Sequence, residues 1–161
     1  MYPRQPFLTV SVFFGALLLG LVFPGPARPA EPLLCIGGDT YGSWQLPNGP
    51  DQPGQAHGVL VVDESGEPLY SLDASLTEGP PPMEFRLGEL DGILADSSGT
   101  PVYGIAGSWR TAPRDDIHGT WQATIYDLDT GESVGMIDAQ FTNDPGGDGT
   151  YAGQWVICEH P

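Results

Sequence analysis

The chain is 161 residues long, 40% apolar, and carries five Lys+Arg against 21 Asp+Glu, a formal net charge of −16. All five cations are arginines, and only Arg86, Arg110 and Arg114 lie beyond residue 30, where all the acids are. This balance excludes nucleic acid as a partner, because phosphate binding needs a basic surface, and it makes anionic membranes unattractive.

Residues 1–30 differ in kind from the rest. Arg4 precedes an apolar run from Phe7 to Phe23, and small residues then offer cleavage after Ala27 or Ala30. That layout predicts a secretory signal peptide, with an uncleaved anchor as the alternative. Export to the periplasm or the outside follows, with no membrane contact after cleavage. Residues 31–161 amount to one domain, able to bury roughly two-thirds of its surface. Its charge favours solubility and a monomer. Twenty-three Gly and 17 Pro favour turns and strands over helices.

Residues 31–39 read as a leader, and Tyr41-Gly42-Ser43-Trp44 opens the first strand. The Pro/Gly-rich stretch 47–55 reads as a loop, and 57–62 as the second strand. Asp63-Glu64-Ser65-Gly66 turns into a strand over 68–76. Residues 77–83 form a Pro-rich loop. Residues 84–95 read as a strand bent at Gly88, where the apolar alternation changes phase. Asp96-Ser97-Ser98-Gly99 turns into 102–109. Positions 63–70 and 96–103 share five of eight residues, Asp, Ser, Gly, Pro and Tyr, at an offset of 33. The hairpin is thus a repeated design. A charged loop over 110–118 precedes a third hairpin, 119–128 and 134–141, turned at Asp129-Thr130-Gly131. A Gly/Asp loop, 143–149, leads to the last strand, 150–158.

About eight strands with short connections imply an all-β antiparallel up-and-down meander. Closure into a small barrel removes both edges; a two-sheet β-sandwich is the alternative. Cys35 and Cys158 are the only cysteines. In an exported chain they pair, which brings the first and last segments together and supports closure. Period-two alternation points Tyr70, Leu72, Ala74 and Leu76 inward, as it does Tyr103 to Trp109, Gly135 to Phe141 and Tyr151 to Ile157.

Every Trp stands in Gly-x-Trp: Gly42/Trp44, Gly107/Trp109, Gly119/Trp121 and Gly153/Trp155. Glycine there leaves bare backbone for a ring to cover. Gly42-Ser43-Trp44 on a first strand is similar to the corresponding tripeptide of lipocalins and of the avidin group. The chain departs from lipocalins by repeating the motif and by lacking an N-terminal cap helix. The resemblance implies a barrel architecture that can hold a small ligand.

For a site, the richest segment runs from Trp109 to Trp121. Arg110, Arg114, Asp115 and His118 lie between the two indoles; Arg114 could clamp a carboxylate and His118 exchange protons. A surface loop with local ion pairs accounts for the same composition and is the favoured reading. Asp144 and Asp148 lie in a Gly/Asp loop without EF-hand spacing, and His57, His118 and His160 are scattered, so neither metal nor cofactor is expected. No Gly-x-Ser-x-Gly elbow or phosphate-binding glycine loop occurs. The expected function is a non-catalytic exported binding module for a small ligand or a protein, engaged through the loops at 47–55, 77–83, 110–118 and 143–149. The alternatives are a structural or interaction protein of the cell envelope, and a hydrolase or isomerase using His118 with Asp115 or Asp116.

Overall fold

A computed structural model describes residues 33–48, 51–62, 65–80 and 84–160. The expected signal peptide lies outside the described residues, as does the Asp116 side chain. Eight strands follow one another: β1 (Leu34–Gln45), β2 (Gly54–Val61), β3 (Pro68–Glu78), β4 (Leu87–Ala95), β5 (Pro101–Ala112), β6 (Asp115–Asp127), β7 (Ser133–Asn143) and β8 (Asp148–Glu159). Each pairs antiparallel with the next, and β1 pairs with β8, so the sheet closes into a barrel in sequence order. The sandwich alternative falls.

Closure uses more chain than the sequence suggests. Residues 34–39 are not a leader: β1 is paired with β8 along its whole length, from Leu34↔Glu159 to Gln45↔Asp148. In that register Cys35 stands opposite Cys158, and the two are disulfide-bonded. The bridge therefore fastens the seam of the barrel near the chain ends.

The expected bend at Gly88 is also corrected. From Leu87↔Arg110 to Leu94↔Tyr103 the β4–β5 ladder is continuous, and the irregularity lies at Leu94/Ala95. The apparent change of phase arises because Glu84–Arg86 precede the strand. Within β4, Gly88, Leu90 and Leu94 all lie on the buried face.

Two hairpin turns share one device. Asp96 Oδ1 accepts the backbone N–H of Ser98 and Thr100 at 2.8 and 3.0 Å, and Asp127 Oδ1 accepts those of Asp129 and Thr130. An Asp side chain that bonds the backbone two residues on stabilises a turn. Gly99 then takes φ +82°, where a side chain would be strained. The repeat is inexact in closure: Gly99 N–H bonds Asp96 O, whereas Gly66 N–H bonds Val62 O, one residue further back.

The inward face is the one the alternation predicts. Trp44, Leu60, Leu72, Leu76, Leu90, Leu94, Trp109, Trp121, Ile125, Ile137 and Phe141 are among its fully buried side chains. Rings fill both halves. Trp44 stacks on Phe141 with centroids 4.5 Å apart and on Trp121 at 6.1 Å. In the other half Tyr70 meets Tyr103 and Trp155 edge to face, the geometry that ring quadrupoles favour. Bare glycine makes room for this volume: a Cβ on Gly119 would collide with the Phe141 ring, and one on Gly58 with the Tyr151 hydroxyl. At Gly42, Gly107 and Gly153 the obstacle is instead the neighbouring strand's backbone, as at the glycine kinks that curve a barrel wall. The expectation that each Gly-x-Trp glycine seats a ring thus holds for Gly119 alone.

Candidate functional site

Because the strands alternate in direction, the β1–β2, β3–β4, β5–β6 and β7–β8 connections gather at one end, the long-loop end. The other end holds the tight turns and the disulfide. Of the four connections, the sequence overestimates two. Residues 110–118 are not a loop: β5 and β6 run through them, leaving Pro113 and Arg114 as the turn, with Arg114 at φ +61°. Residues 143–149 reduce to a turn at 144–147, closed by Gly147 N–H to Asp144 O.

The residues singled out between Trp109 and Trp121 separate onto two sides of the wall. Trp109 and Trp121 are cross-strand partners that point inward and are buried. Trp109 Nε1 donates to Thr77 O at 3.1 Å, while Trp121 Nε1 has no hydrogen-bond partner. Arg110, Arg114 and His118 face solvent. Arg114 Nη2 lies 3.3 Å from Glu84 Oε1, an exposed pair of little energetic weight. Asp115 accepts from Ile117 N–H at 2.8 Å and contacts His118 Nδ1 at 2.7 Å. The His118 hydrogen bond, then that of Ile117, holds the Asp115 carboxyl below its ordinary value. The outward members make local surface contacts, and the indoles belong to the core.

The residue that organises the long-loop end is Arg86, which the sequence reading left unused. Its guanidinium donates to both carboxylate oxygens of Glu78, at 2.7 and 2.9 Å, and to Pro47 O at 2.6 Å. Its own N–H donates to Thr111 Oγ1, and its carbonyl accepts from Thr111 N–H. One residue thereby ties the β1–β2 loop and β3, through its side chain, to β5, through its backbone, across the mouth. Beside it lies a cleft of about 360 Å³, bordered by Gln45, Asn48, Gln52, Arg86 and Asp144 with Leu46 and Pro47. Its polar groups are three amides, the Asp144 carboxylate and the Arg86 guanidinium, set among aliphatic, proline and glycine residues and suited to hydrogen bonding a polar group.

A second constellation, also missed, crosses the outer wall. Register places Ser43 beside His57 and His57 beside Asp73. His57 Nδ1 sits 2.5 Å from Asp73 Oδ1, and Nε2 3.1 Å from Gln55 Oε1. Both imidazole nitrogens are thus occupied by Asp73 and Gln55. Ser43, His57 and Asp73 come from three strands, so only a register, not a motif, could have revealed them. Among the described residues no group of three or more His, Cys, Asp or Glu could hold a metal ion.

The chain matches no protein-family model, and neither the curated proteins nor the solved structures contain a significant match to it.

Proposed function

We propose that this protein is an exported, non-catalytic recognition domain whose partner is another protein rather than a small molecule enclosed by the barrel. The observation that carries this reading is the filled interior: Trp44, Trp109, Trp121, Phe141, Tyr151 and Trp155 occupy the space in which a ligand-carrying barrel holds its cargo. The disulfide suits an extracytoplasmic compartment. Among the described residues His118 is bonded to Asp115 and to no hydroxyl nucleophile, which lends the hydrolase reading no support.

Native mass spectrometry of the protein purified from the exported fraction tests this. The expected mass is that of the processed chain less two hydrogens, with no adduct. A small molecule retained through desalting would overturn the reading. The polar cleft at the long-loop end favours a second reading, a small polar ligand bound outside the barrel. A platform role in a cell envelope is the companion reading.

A further inference from the structure

The outer wall is not uniformly acidic. Register aligns Ala106, Thr124, Met136 and Val156 in one outward row across β5–β8, and Ile93, Gly104 and Tyr126 in the next row across β4–β6. Met136 is 53% exposed and Ile93 38%, and Leu128, 49% exposed, reaches over Gly104. In a chain with 21 acids, neither of these segments contains a charged side chain. Acids frame them. Asp91 ends the first row as the partner of Ala106, Asp73 ends the second as the partner of Ile93, Glu89 and Asp138 lie on the side toward the long loops, and Asp96, Asp127, Asp129 and Glu132 lie in or beside the turns below. An uncharged centre with a polar rim is the anatomy of a protein interface, and contiguous exposed apolar surface is seldom left without an occupant.

The rim identifies the occupant. All its charges are negative, so a complementary surface carries cations around apolar side chains. A second copy docked through this same face cannot supply them, because its described cations, Arg86, Arg110 and Arg114, all lie at the long-loop end, and a chain with 21 acids against five cations is a poor partner for its own acidic rim in any other orientation. Arg110, the nearest along β5, is four residues from Ala106, about 13 Å.

We propose that the uncharged outward strip from Ile93 and Gly104 through Tyr126 and Thr124 to Met136 and Val156 docks a cationic, amphipathic segment of a different protein. This rests on the protein-partner reading above and adds the surface and the chemistry. Small Ala106 lets a partner approach the backbone closely, and Leu128 over Gly104 and Met136 offer apolar contacts, that of Met136 adaptable.

The test uses the oxidised, processed protein and a peptide of roughly 18 residues, five helical turns, with Leu on one face and Lys on the other. A Glu-for-Lys analogue serves as comparison, with binding read by fluorescence anisotropy. The Lys peptide should bind, the Glu peptide should not, and affinity should fall severalfold between about 50 and about 300 mM NaCl as the rim is screened. The Ile93→Lys/Met136→Lys variant should lose about tenfold or more, with its tryptophan fluorescence unchanged as the check on folding. Asp51→Asn/Glu84→Gln changes net charge equally but at the long-loop end, and should bind as the native protein does. Equal loss in both variants would reduce the effect to general attraction and overturn the proposal. Amide shifts confined to residues 45–48 and 144–147, or self-association through Met136 in sedimentation, would also overturn it. Failure of peptide binding while native mass spectrometry shows no adduct defeats this surface alone; a retained small molecule defeats the protein-partner reading itself.

Discussion

The Arg86 guanidinium stands over the Trp109 indole, 6.0 Å from the ring centroid, while Trp109 Nε1 reaches past Gly88 of β4 to bond Thr77 O on β3. A cation on a ring face is favoured electrostatically, so the residue that spans the mouth also covers the core. Glu78, its carboxylate partner, is itself largely buried. Arg86→Met should therefore destabilise the barrel by about 2 kcal/mol, below the loss for a fully buried pair because both groups retain some solvent. Adding Glu78→Gln should restore part of that, since the orphaned charge is removed with it. Urea denaturation of the two variants provides the comparison; no recovery in the double variant would mean that packing, not charge, is what Arg86 contributes.

The Cys35–Cys158 bridge joins strands that already pair in register. Its loop spans a sequence separation of 123, so its removal by Cys35→Ser/Cys158→Ser should cost about 2–4 kcal/mol. Because the bridge sits near one end of the seam, amide exchange should quicken first at 34–39 and 154–159. A uniform rise in exchange around the barrel would show instead that the bridge limits only global unfolding.

Much of this fold is legible in the sequence because side-chain alternation is a local property. Leu72, Ala74 and Leu76 in β3, and Ile137, Ala139 and Phe141 in β7, face inward as their period of two requires. Connections are legible only where a turn has its own chemistry. Asp96 and Gly99 announce theirs, but the charged residues 110–118 look like a loop while forming the ends of β5 and β6. Here cross-strand pairing overrides composition, and pairing partners are not encoded nearby. The same limit hid Arg86, whose partners Glu78, Pro47 and Thr111 are eight to 39 residues away.

Gly119 offers a direct measure of how tightly the core is filled. A Cβ there would meet both the Phe141 ring and the carbonyl of Arg110, and the backbone cannot give way as a flexible side chain can. Gly119→Ala should cost about 2 kcal/mol through overpacking. Gly119→Ala/Phe141→Leu should not add the two single losses, since the smaller side chain relieves the ring collision. Strict additivity of the two in thermal or urea denaturation would place the whole penalty on the carbonyl contact.

Two groups of side chains contribute a pH dependence to the stability of the barrel. Tyr103 donates from its hydroxyl to Glu159 Oε1 at 2.5 Å; burial first, and then Glu159, raise its ionisation well above the ordinary 10.0. Burial likewise pushes Tyr151 up to about 12. The folded state thus holds the neutral phenols, so their contribution is complete below about pH 10 and is lost as pH rises through the folded values. Turn hydrogen bonds act in the opposite sense on Asp96, where Ser98 leads, and on Asp127, where Thr130 leads; both carboxyls are held below 3.8. Their contribution is present above that value and is lost as pH falls through the lowered ones. The urea midpoint should accordingly be flat at neutral pH and fall on both sides, the alkaline limb beginning near pH 10. Tyr103→Phe should flatten the alkaline limb by up to about 1.4 kcal/mol per pH unit and leave the acid limb in place, and Asp96→Asn should do the reverse. An alkaline limb unaltered in Tyr103→Phe would assign it to Tyr151 or to general charge repulsion in an already acidic protein.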